Sequence, residues 1–438
     1  MKIHFLGIGG SGESAVAAIA EAQGFEVSGC DKDLDSEFLK PFNKEQLQFG
    51  HSAVHVHPRS VHADLLVITP AILSLDPDNE ELLEAKKQSI PVLTWQEFMG
   101  KYLHKDKFVI AVAGTHGKTT TTAMIAQMLE DAGLDPTVEL GAIYQKWGVN
   151  FRVGKSKYFI TEADEFNDNY LNYYPDLAVV INIDFEHPEF FKDFEEYKDS
   201  FRKFVALSKK AFVNMSDKGV VEALVSDKKT KEFNFPELVD FSKSLDIDLP
   251  LKVSGDFNKS NALAAFQVGF ALNLDANTIR NSLMQFSGVG RRMELVGEYR
   301  GAKIYSDFGH HPTEIKVTVE ALRQKFPDKR IWIIFQPHMF SRTKALFEDF
   351  VNVLGSLPVD QISVLDIYPS REVDTGLVNS KQLVDAIKKP NVSYLGPRED
   401  VEKFLKLAIR KDDVVLFIGA GDIDKIARNL ISKEKVSS

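Results

Sequence analysis

The sequence predicts an α/β protein of three domains, each built on a mainly parallel sheet. Short apolar runs of strand length recur along its 438 residues, and most are followed by a glycine turn or polar loop and then by a stretch of helical character. This alternation is typical of strand–helix–strand units, in which successive strands lie parallel. The runs form three series, and we place the domains at 1–106, 107–294 and 295–438.

The composition limits the classes of function. Hydrophobic residues make up 44% of the chain and charged residues 26%, as in ordinary globular proteins. Lys and Arg total 53 against 63 Asp and Glu, so no general positive field is available to bind nucleic acid. The N-terminal MKIHFLGIGG lacks the long apolar segment of a secretion signal, and no apolar run is long enough to span a bilayer. We expect a cytoplasmic protein, a monomer or weak homodimer, without nucleic-acid partners or membrane insertion.

The single cysteine, Cys30, excludes intrachain disulfides and any cysteine metal cluster. This cysteine usage suits a reducing compartment. We interpret Cys30 as a small buried residue at the end of a strand.

The first series begins with a strand at Ile3–Ile8 that runs into a glycine turn at Gly7–Gly12. Such a turn between a strand and a helix directs backbone N–H groups at a pyrophosphate. Asp31, at the end of the next strand, is placed to bind a ribose, and the arrangement suits NAD, FAD or a UDP-sugar equally. A glycine turn without a ligand is the alternative. Further strands are predicted at Glu26–Cys30, Leu65–Thr69 and Pro91–Thr94.

The central series opens with the most informative segment, FVIAVAGTHGKTTTT. Its apolar strand, Val109–Ala113, breaks at Gly114 into a loop that ends in Lys118 and a row of threonines. The glycines let N–H groups turn toward an anion, Lys118 adds a positive charge, and Thr119 offers a hydroxyl to Mg²⁺. Four consecutive threonines are poor helix formers, so local propensity does not explain them. The segment predicts a phosphate-binding loop and an ATP-driven reaction, with a Gly-x-x-Gly-Lys-Thr spacing unlike that of the commonest P-loop.

Acidic residues and a histidine follow two strands of the same series. Glu162–Glu165 comes after a strand at Tyr158–Thr161, and His187 after one at Leu177–Ile183. In a parallel sheet both lie at the carboxyl edge, where the phosphate-binding loop also lies. Carboxylates suit Mg²⁺, whereas imidazole is a less usual ligand for it. The pattern predicts a magnesium site, with a solvated acidic loop as the alternative; a helix is predicted at Asn261–Leu272.

The third series carries basic residues and imidazoles at loop positions. Arg291 and Arg292 lie near the second boundary, where a hinge could bring a guanidinium to a transferring phosphate; a solvated basic pair is at least as good an explanation. DFGHHP from Asp307 and FQPHMFSR from Phe335 each follow a strand and could hold a carboxylate or phosphate, although lone histidines more often serve packing. Strands are predicted at Ile331–Phe335, Ile362–Leu365 and Val414–Ile418.

The order of these segments, GIGGSG, GTHGKTTTT, EADE, RRME, DFGHHPTEI, FQPH and FIGAGDID, strongly resembles that of the Mur ligases. The resemblance covers the chain from its first strand to Asp424. It implies a Rossmann-like UDP-binding domain, a central P-loop ATPase domain and a C-terminal Rossmann-like domain. It further implies that ATP and Mg²⁺ activate the carboxylate of UDP-N-acetylmuramate as an acyl phosphate, which the amine of an amino acid, expected to be L-alanine, then attacks.

The resemblance also implies a role for each matching residue. ATP is expected at Gly114, Thr115, His116, Gly117, Lys118, Thr119, Thr120, Asn258, Asn261, Arg292 and Asp307. Magnesium ions are expected at Thr119, Glu162 and His187. The UDP-substrate is expected at Gly7, Gly9, Gly10, Ser11, Gly12 and Asp31, and the amino acid at His310, His338 and Arg342. Catalysis is assigned to Lys118, Glu162, His187, Arg292 and His310.

Several positions depart from the family pattern. Phe257 replaces a usual His beside adenine, Glu186 a usual Asp, and Glu13 a usual Met at the UDP turn. Phe308 and Met339 stand where Tyr and Arg are typical of the amino-acid pocket. The segment from Lys228 to Val253 is short for the family, which predicts a reduced β subsheet in the central domain.

Three other functions stay open at this point. One is a ligase of the same family that recycles a whole tripeptide onto the same precursor. Another is a nucleotide-binding relative with altered acceptor specificity, suggested by Phe308 and Met339. An NAD-dependent oxidoreductase would leave the phosphate-binding loop and EADE without a role.

Overall fold

A five-stranded, fully parallel sheet forms the first part of the chain, in a computed structural model that describes residues 1–56, 63–188, 190–243, 249–370 and 372–437. Its strand order is β3-β2-β1-β4-β5, in which the chain returns to the centre of the sheet before building the other half. Its strands are β1 (Lys2–Leu6), β2 (Glu26–Asp31), β3 (Leu47–Phe49), β4 (Leu65–Ile68) and β5 (Val92–Thr94). The helices are α1 (Ser11–Ala22), α2 (Ile72–Leu75), α3 (Glu80–Gln88) and α4 (Trp95–Phe98), with 3-10 turns at Glu37–Leu39, Lys44–Gln46 and Ala53–His55 and a π-turn at Met99–Leu103.

A seven-stranded sheet follows, in the order β12-β11-β10-β6-β9-β7-β8. All its neighbours pair in parallel except β7 and β8, which form an antiparallel edge. Its strands are β6 (Phe108–Ala113), β7 (Thr137–Tyr144), β8 (Val149–Arg152), β9 (Tyr158–Ala163), β10 (Leu177–Val180), β11 (Lys210–Val213) and β12 (Glu237–Asp240). The helices of this segment are α5 (Lys118–Asp131), α6 (Phe194–Ala206), α7 (Lys218–Val221), α8 (Asp256–Ala271) and α9 (Ala276–Gln285), with shorter turns at Phe166–Asn172, Glu222–Ser226 and Lys228–Glu232.

The last sheet has six strands in the order β13-β14-β18-β15-β16-β17, and only β13 is antiparallel to its neighbour. Apolar residues cover both of its faces, as expected for a sheet enclosed by helices. Its strands are β13 (Glu294–Tyr299), β14 (Ala302–Asp307), β15 (Ile331–Phe335), β16 (Gln361–Leu365), β17 (Val392–Gly396) and β18 (Val414–Ile418). The helices are α10 (Pro312–Lys325), α11 (Phe340–Ala345), α12 (Phe347–Ser356), α13 (Ser380–Ile387), α14 (Val401–Ala408) and α15 (Ile423–Ser437), with a 3-10 turn at Arg398–Asp400.

The chain divides into two compact units. The first comprises Met1–Glu186, Asp193–Pro250 and Ser260–Phe286 and contains the first two sheets. The second comprises His187–Lys192, Leu251–Lys259 and Ser287–Ser438 and contains the third sheet. Among the described residues, we find no helix with the length and apolarity needed to cross a membrane.

The predicted α/β class with three mainly parallel sheets is confirmed, and the corrections concern where elements end. The strand predicted to continue to Ile183 ends at Val180, because its neighbour β6 ends at Ala113, the residue paired with Val180. Conversely, β9 continues to Ala163, so Glu162 lies within the strand and not after it. The helix predicted from Asn261 begins earlier, at Asp256. Residues 244–248, inside the short Lys228–Val253 segment, lie outside the described residues.

Candidate functional site

The phosphate-binding loop joins β6 to α5. Gly114 and Gly117 have φ of +143° and +87°, conformations that side chains with a Cβ rarely adopt. The threonines that follow are buried in the first turns of α5, so packing holds them in a helix that their propensity disfavours. Backbone N–H groups at the start of a helix, preceded by two glycines, form an anion-binding geometry.

Asn182, which the sequence analysis did not single out, holds this loop in place. Its side-chain Oδ1 accepts a hydrogen bond from the His116 N–H at 2.8 Å, and its Nδ2 donates to the His116 carbonyl at 2.8 Å. Thr115 is fixed nearby, since its hydroxyl donates to the Asp184 carbonyl at 2.8 Å and lies 2.9 Å from the Tyr197 hydroxyl. The loop is therefore fixed by residues that follow β10, and their only sequence signal is their place after a strand.

Lys118 is paired with the acidic segment. Its Nζ donates to Glu165 Oε2 at 2.7 Å and to the Gly114 carbonyl at 2.8 Å, and it lies 3.7 Å from Asp164 Oδ1. Glu165 is fully buried and also accepts a hydrogen bond from the Tyr197 hydroxyl at 3.0 Å. Burial opposes the charge on Lys118, but the Glu165 and Asp164 carboxylates outweigh it and raise the pKa of the ammonium. Lys118 therefore carries its charge at neutral pH.

Thr119 and Glu162, two of the predicted magnesium ligands, are adjacent. The Thr119 hydroxyl donates to Glu162 Oε2 at 2.9 Å, while Glu162 Oε1 accepts the Gly141 N–H at 2.6 Å. Behind them Glu139 is buried, and burial together with the Glu162 charge raises the pKa of Glu139. A hydroxyl and a carboxylate oxygen side by side at a sheet edge are hard oxygen donors of the kind that Mg²⁺ prefers.

The third predicted magnesium ligand, His187, lies in a loop beyond the end of β10. Its backbone has a φ of +57°, and its carbonyl accepts the N–H groups of Phe190 and Phe191 at 2.9 Å each. His187 belongs to the second compact unit, whereas Thr119 and Glu162 belong to the first.

The two asparagines of α8 lie one helical turn apart. Asn261 sits against the phosphate-binding loop: a Cβ added to Gly117 would approach its Oδ1 to 2.9 Å. Asn258 donates from Nδ2 to the Ser254 carbonyl at 2.7 Å. The close approach at Gly117 explains why this position takes glycine and not alanine.

The glycine turn of the first sheet joins β1 to α1 as predicted. Gly7 has a φ of +99°, and its N–H donates to the Cys30 carbonyl at 2.9 Å. Asp31 Oδ2 accepts the Gly9 N–H at 2.9 Å, so the predicted ribose-binding carboxylate also holds the turn. A Cβ at Gly9 would approach Asp31 Oδ2 to 2.8 Å. The predicted UDP-site residues of this turn lie together at Gly7, Gly9, Gly10, Ser11, Gly12 and Asp31.

Glu13, in the first turn of α1, is buried beneath this turn. The residue is 1% exposed, and neither carboxyl oxygen has a hydrogen-bond partner among the described residues. Burial, and then the charge of Asp31, raise the pKa of Glu13 well above its ordinary value. This shift favours the neutral form of the carboxyl group, which carries no charge to oppose a pyrophosphate at the turn.

In the second unit, the arginine pair packs on Phe308. The guanidinium carbons of Arg291 and Arg292 lie 4.8 Å and 5.3 Å from the ring centre, within the range of cation–π contacts. Arg291 donates to the Gly419 carbonyl at 2.9 Å, whereas Arg292 lies 3.6 Å from Glu314 Oε1. The two arginines are therefore held differently: Arg291 donates to backbone carbonyls, whereas Arg292 makes longer contacts with Glu314 and Phe308.

Asp307, at the end of β14, is nearly buried. Its Oδ1 accepts the Gly309 N–H at 2.7 Å and its Oδ2 the Met293 N–H at 2.8 Å, which leaves one acceptor position on each oxygen. Burial raises the pKa of Asp307, and the charge of Arg292 opposes this shift. A ribose would have to share these oxygens with the backbone.

The predicted amino-acid pocket is a cluster of side chains from two loops. The rings of His310 and His338 lie 5.6 Å apart, and Arg342 Nη1 lies 3.0 Å from His338 Nδ1. Phe308 contacts His310 edge-on with ring centres 5.4 Å apart. Met339 is buried, with its Sδ 3.9 Å from Arg342 Nη1. The structure thus brings together the three predicted residues and the two departures from the family pattern.

Glu314, which the sequence analysis also missed, organises this cluster. Its Oε2 accepts the His310 N–H at 3.0 Å and lies 3.5 Å from His310 Nδ1, while its Oε1 faces Arg292. Its position at the third residue of α10, in a capping box with His311, was a readable signal.

Three family models match successive parts of the chain. The Mur ligase family catalytic domain matches residues 2–107, the Mur ligase middle domain 112–269, and the glutamate ligase domain of Mur ligases 291–421. Together they cover most of the chain and all three sheets.

Full-length relatives agree with the family models. UDP-N-acetylmuramate–L-alanine ligase from Alkaliphilus metalliredigens is 36% identical and aligns over 99% of this chain and 97% of its own length. The ligase of the same name from Aquifex aeolicus is 37% identical and aligns over 97% of this chain and 96% of its own length. The crystal structure of UDP-N-acetylmuramate-alanine ligase from Thermotoga maritima superposes with a TM-score of 0.81 at 25% identity, covering both chains completely. A murein peptide ligase from Psychrobacter arcticus shares the fold, with a TM-score of 0.71 at 23% identity over 99% of this chain and 98% of its own. The chain belongs to the Mur ligase family.

Proposed function

We propose that the chain is an ATP-dependent ligase that joins L-alanine to the carboxylate of UDP-N-acetylmuramate in the synthesis of peptidoglycan precursors. Relatives of that name align with almost the whole chain. The observation that carries the proposal is the β6–α5 loop, in which Lys118 and Thr119 stand at a helix N-terminus beside Glu165 and Glu162. This arrangement suits the binding of a nucleotide triphosphate with its metal.

The reaction needs activation because a carboxylate is a poor electrophile. The muramoyl carboxylate attacks the γ-phosphorus of ATP, which releases ADP and leaves an acyl phosphate. The amine of the amino acid then attacks the acyl carbon, phosphate leaves, and the amine loses its proton. Lys118 supplies positive charge to the β- and γ-phosphates, and the N–H groups of the loop bind their oxygens.

Mg²⁺ fits the donors that this site offers. Thr119 and Glu162 present a hydroxyl and a carboxylate oxygen, and we assign them to one ion, with His187 assigned to a second by resemblance to the family. When bound, the metal supplies charge neutralisation for the transferring phosphoryl group. Arg292, Asn258, Asn261 and Asp307 complete the proposed ATP site.

We assign the amino acid to His310, His338 and Arg342. A buried guanidinium next to an imidazole suits the carboxylate of an amino acid, and Met339 and Phe308 give the pocket an apolar part that suits a methyl side chain. The UDP part of the substrate is assigned to the glycine turn and Asp31. We keep 1–106, 107–294 and 295–438 as the domain ranges, and propose a cytoplasmic monomer or weak homodimer.

Phosphate release tests the proposal. The purified chain is incubated with ATP, Mg²⁺ and UDP-N-acetylmuramate, against a panel of single amino acids and the tripeptide L-Ala-D-Glu-diaminopimelate. We expect release that depends on L-alanine, and mass spectrometry should identify the amide product. Release only with the tripeptide would assign the chain to peptide recycling. Tight nucleotide binding without turnover for any acceptor would overturn both ligase assignments.

A further inference from the structure

Four side chains of the first sheet form a buried polar cluster that the ligase reaction does not use. Its members are His4, Cys30, His55 and Glu81, each at most 8% exposed. They offer a thiol sulfur, imidazole nitrogens and carboxylate oxygens as ligand atoms, and one such atom from each of the four residues lies within 4.8 Å of the other three. Buried polar groups of these types in an apolar environment need an explanation beyond packing.

The topology brings the four residues to one face of the sheet. His4 pairs in register with Ser28, and Leu6 with Cys30, so the cysteine lies two positions along the neighbouring strand on the same face. Glu81 comes from the first turn of α3, and His55 from the 3-10 turn at Ala53–His55. Apolar side chains from β1, β4 and α3, including Leu6, Leu66, Ile68 and Ala85, pack around Cys30.

The distances within the cluster are close to those of a metal site. Cys30 Sγ lies 3.1 Å and His55 Nδ1 3.0 Å from Glu81 Oε1, and His4 Nε2 lies 3.3 Å from Glu81 Oε2. Donor atoms around a tetrahedral zinc ion lie about 3.3–3.8 Å apart, given bonds of about 2.0–2.3 Å. Small shifts of these side chains would therefore make room for an ion.

Two buried atoms of the cluster, His4 Nε2 and Glu81 Oε2, face each other at 3.3 Å, the distance of an ion pair. Neither atom makes a hydrogen bond of good geometry to any residue that the structure describes. The other nitrogen of the His4 ring, Nδ1, lies 2.9 Å from the Ser28 hydroxyl, which fixes the ring so that Nε2 points into the cluster. An outer hydrogen bond of this kind is typical of metal-binding histidines.

We propose that the buried polar cluster binds one transition-metal dication of the Zn²⁺ class, with His4, Cys30, His55 and Glu81 as its ligands. Thiolate and imidazole donors favour such an ion over Mg²⁺, which separates this site from the one at Thr119 and Glu162. Four protein ligands close a tetrahedral shell, so the site is structural. The Cys30 thiol loses its proton to the solvent when the metal binds.

The site would stabilise the substrate-binding turn. The Cys30 carbonyl accepts the N–H groups of both Gly7 and Ile8, at 2.9 Å and 3.2 Å, so a metal that fixes Cys30 also fixes the start of the glycine turn. The ion would in addition join α3 and the 53–55 turn to the sheet.

Cobalt substitution tests the proposal on the full-length chain. After removal of metals with a chelator, Co²⁺ is titrated in and the absorption spectrum recorded. We expect one Co²⁺ per chain with intense visible bands of a tetrahedral site, a near-ultraviolet thiolate-to-cobalt charge-transfer band, and loss of both on addition of Zn²⁺. Since Cys30 is the only cysteine of the chain, the charge-transfer band can come from no other residue.

Variants identify the ligands. Cys30→Ser should abolish the charge-transfer band, and His55→Gln should weaken Co²⁺ binding by about tenfold or more. His104→Leu, which removes a buried imidazole outside the cluster, should leave the spectrum unchanged; circular dichroism verifies that each variant is folded. Zn²⁺ should also raise the midpoint of thermal unfolding of the wild-type chain. If the folded wild-type chain binds Co²⁺ without a charge-transfer band, or binds none, the cluster is a metal-free hydrogen-bond network and the proposal is wrong.

Discussion

The Lys118 ammonium lies 2.7 Å from the Glu165 carboxylate, which is fully buried and also bound by the Tyr197 hydroxyl. The lysine of the predicted phosphate-binding loop is thus held in place by a negative charge that the chain itself supplies. A carboxylate that positions the lysine also keeps it protonated. Under the proposed function this ion pair contributes both to the stability of the fold and to phosphate binding, and variants can separate the two contributions.

Lys118→Ala should reduce turnover about a thousandfold or more, because the phosphates lose their main positive charge. It should also lower the free energy of unfolding by about 3–5 kcal/mol, since Glu165 is left charged and buried. Binding of the UDP-substrate should survive. The double variant Lys118→Ala/Glu165→Gln should recover much of the stability but none of the activity. Calorimetry measures the binding of the UDP-substrate, and urea unfolding measures the stability. Equal loss of turnover and of UDP-substrate binding would contradict separate sites.

Asn182→Ala should raise the KM for ATP about tenfold and leave the KM for UDP-N-acetylmuramate unchanged. The substitution removes both hydrogen bonds to the His116 backbone, worth about 1–3 kcal/mol together, and releases the loop. Asn182→Asp serves as the matched variant, since it can still accept from the His116 N–H but cannot donate to the carbonyl. Steady-state kinetics with each substrate varied would count against this role if both variants behaved like wild type.

Glu13→Met should stabilise the chain at neutral and higher pH. The folded pKa of Glu13 is raised, so the unfolded chain loses this proton above its ordinary pKa near 4.5 while the folded chain keeps it. The stability of the wild-type chain therefore falls as the pH rises above about 4.5. The methionine variant has no group that titrates at this position, so its stability does not fall for this reason. We expect the free energy of unfolding of the variant to exceed that of the wild-type chain by about 1–3 kcal/mol at pH 8 and by less at pH 4. Urea unfolding at both values measures it, and a gain independent of pH would exclude titration as the cause.

His104→Leu should make the chain less sensitive to acid. Both ring nitrogens of His104 are buried against Phe159 and Tyr173, and burial lowers its pKa to about 3. Between pH 6.5 and 3 the His104 side chain binds a proton in the unfolded chain but not in the folded chain. The stability of the wild-type chain therefore falls as the pH is lowered through this window. When the pH is lowered from 6.5 to 5, the free energy of unfolding of the variant should fall by about 2 kcal/mol less than that of the wild-type chain. Parallel unfolding curves at these pH values provide the measurement, and identical losses would contradict it.

The positions of many candidate site residues could be predicted because these residues lie at the ends of strands. The glycines of the loop, Lys118 and Thr119 are consecutive, and their chemistry depends on local conformation. The acidic segment was placed near the loop because it lies at the end of a strand, but the contacts of its individual residues were not predicted: Glu162 contacts Thr119, whereas Glu165 contacts Lys118. Asn182 was missed because an asparagine after a strand is common, and only its contact with His116 distinguishes it.

The strand ends were misjudged for a different reason. An apolar run indicates that a segment is buried, but the length of a strand is set by how far its neighbour extends. Val180 ends β10 because β6 ends opposite it, at Ala113. Ile183, apolar and buried, continues the pattern without continuing the sheet.

The sequence by itself determined the α/β class, the glycine turns and the order of motifs, because these depend on local propensity, on periodicity and on residues close together in the chain. Only the tertiary structure decided which charges are paired and which polar groups are buried. It buried Glu13 so that the pKa of its carboxyl group is raised, and it surrounded Cys30 with two histidines and Glu81, although composition alone excluded a cluster of several cysteines. Charge state and metal affinity depend on burial and on distances of a few ångströms between residues far apart in sequence, and those are properties of the folded chain.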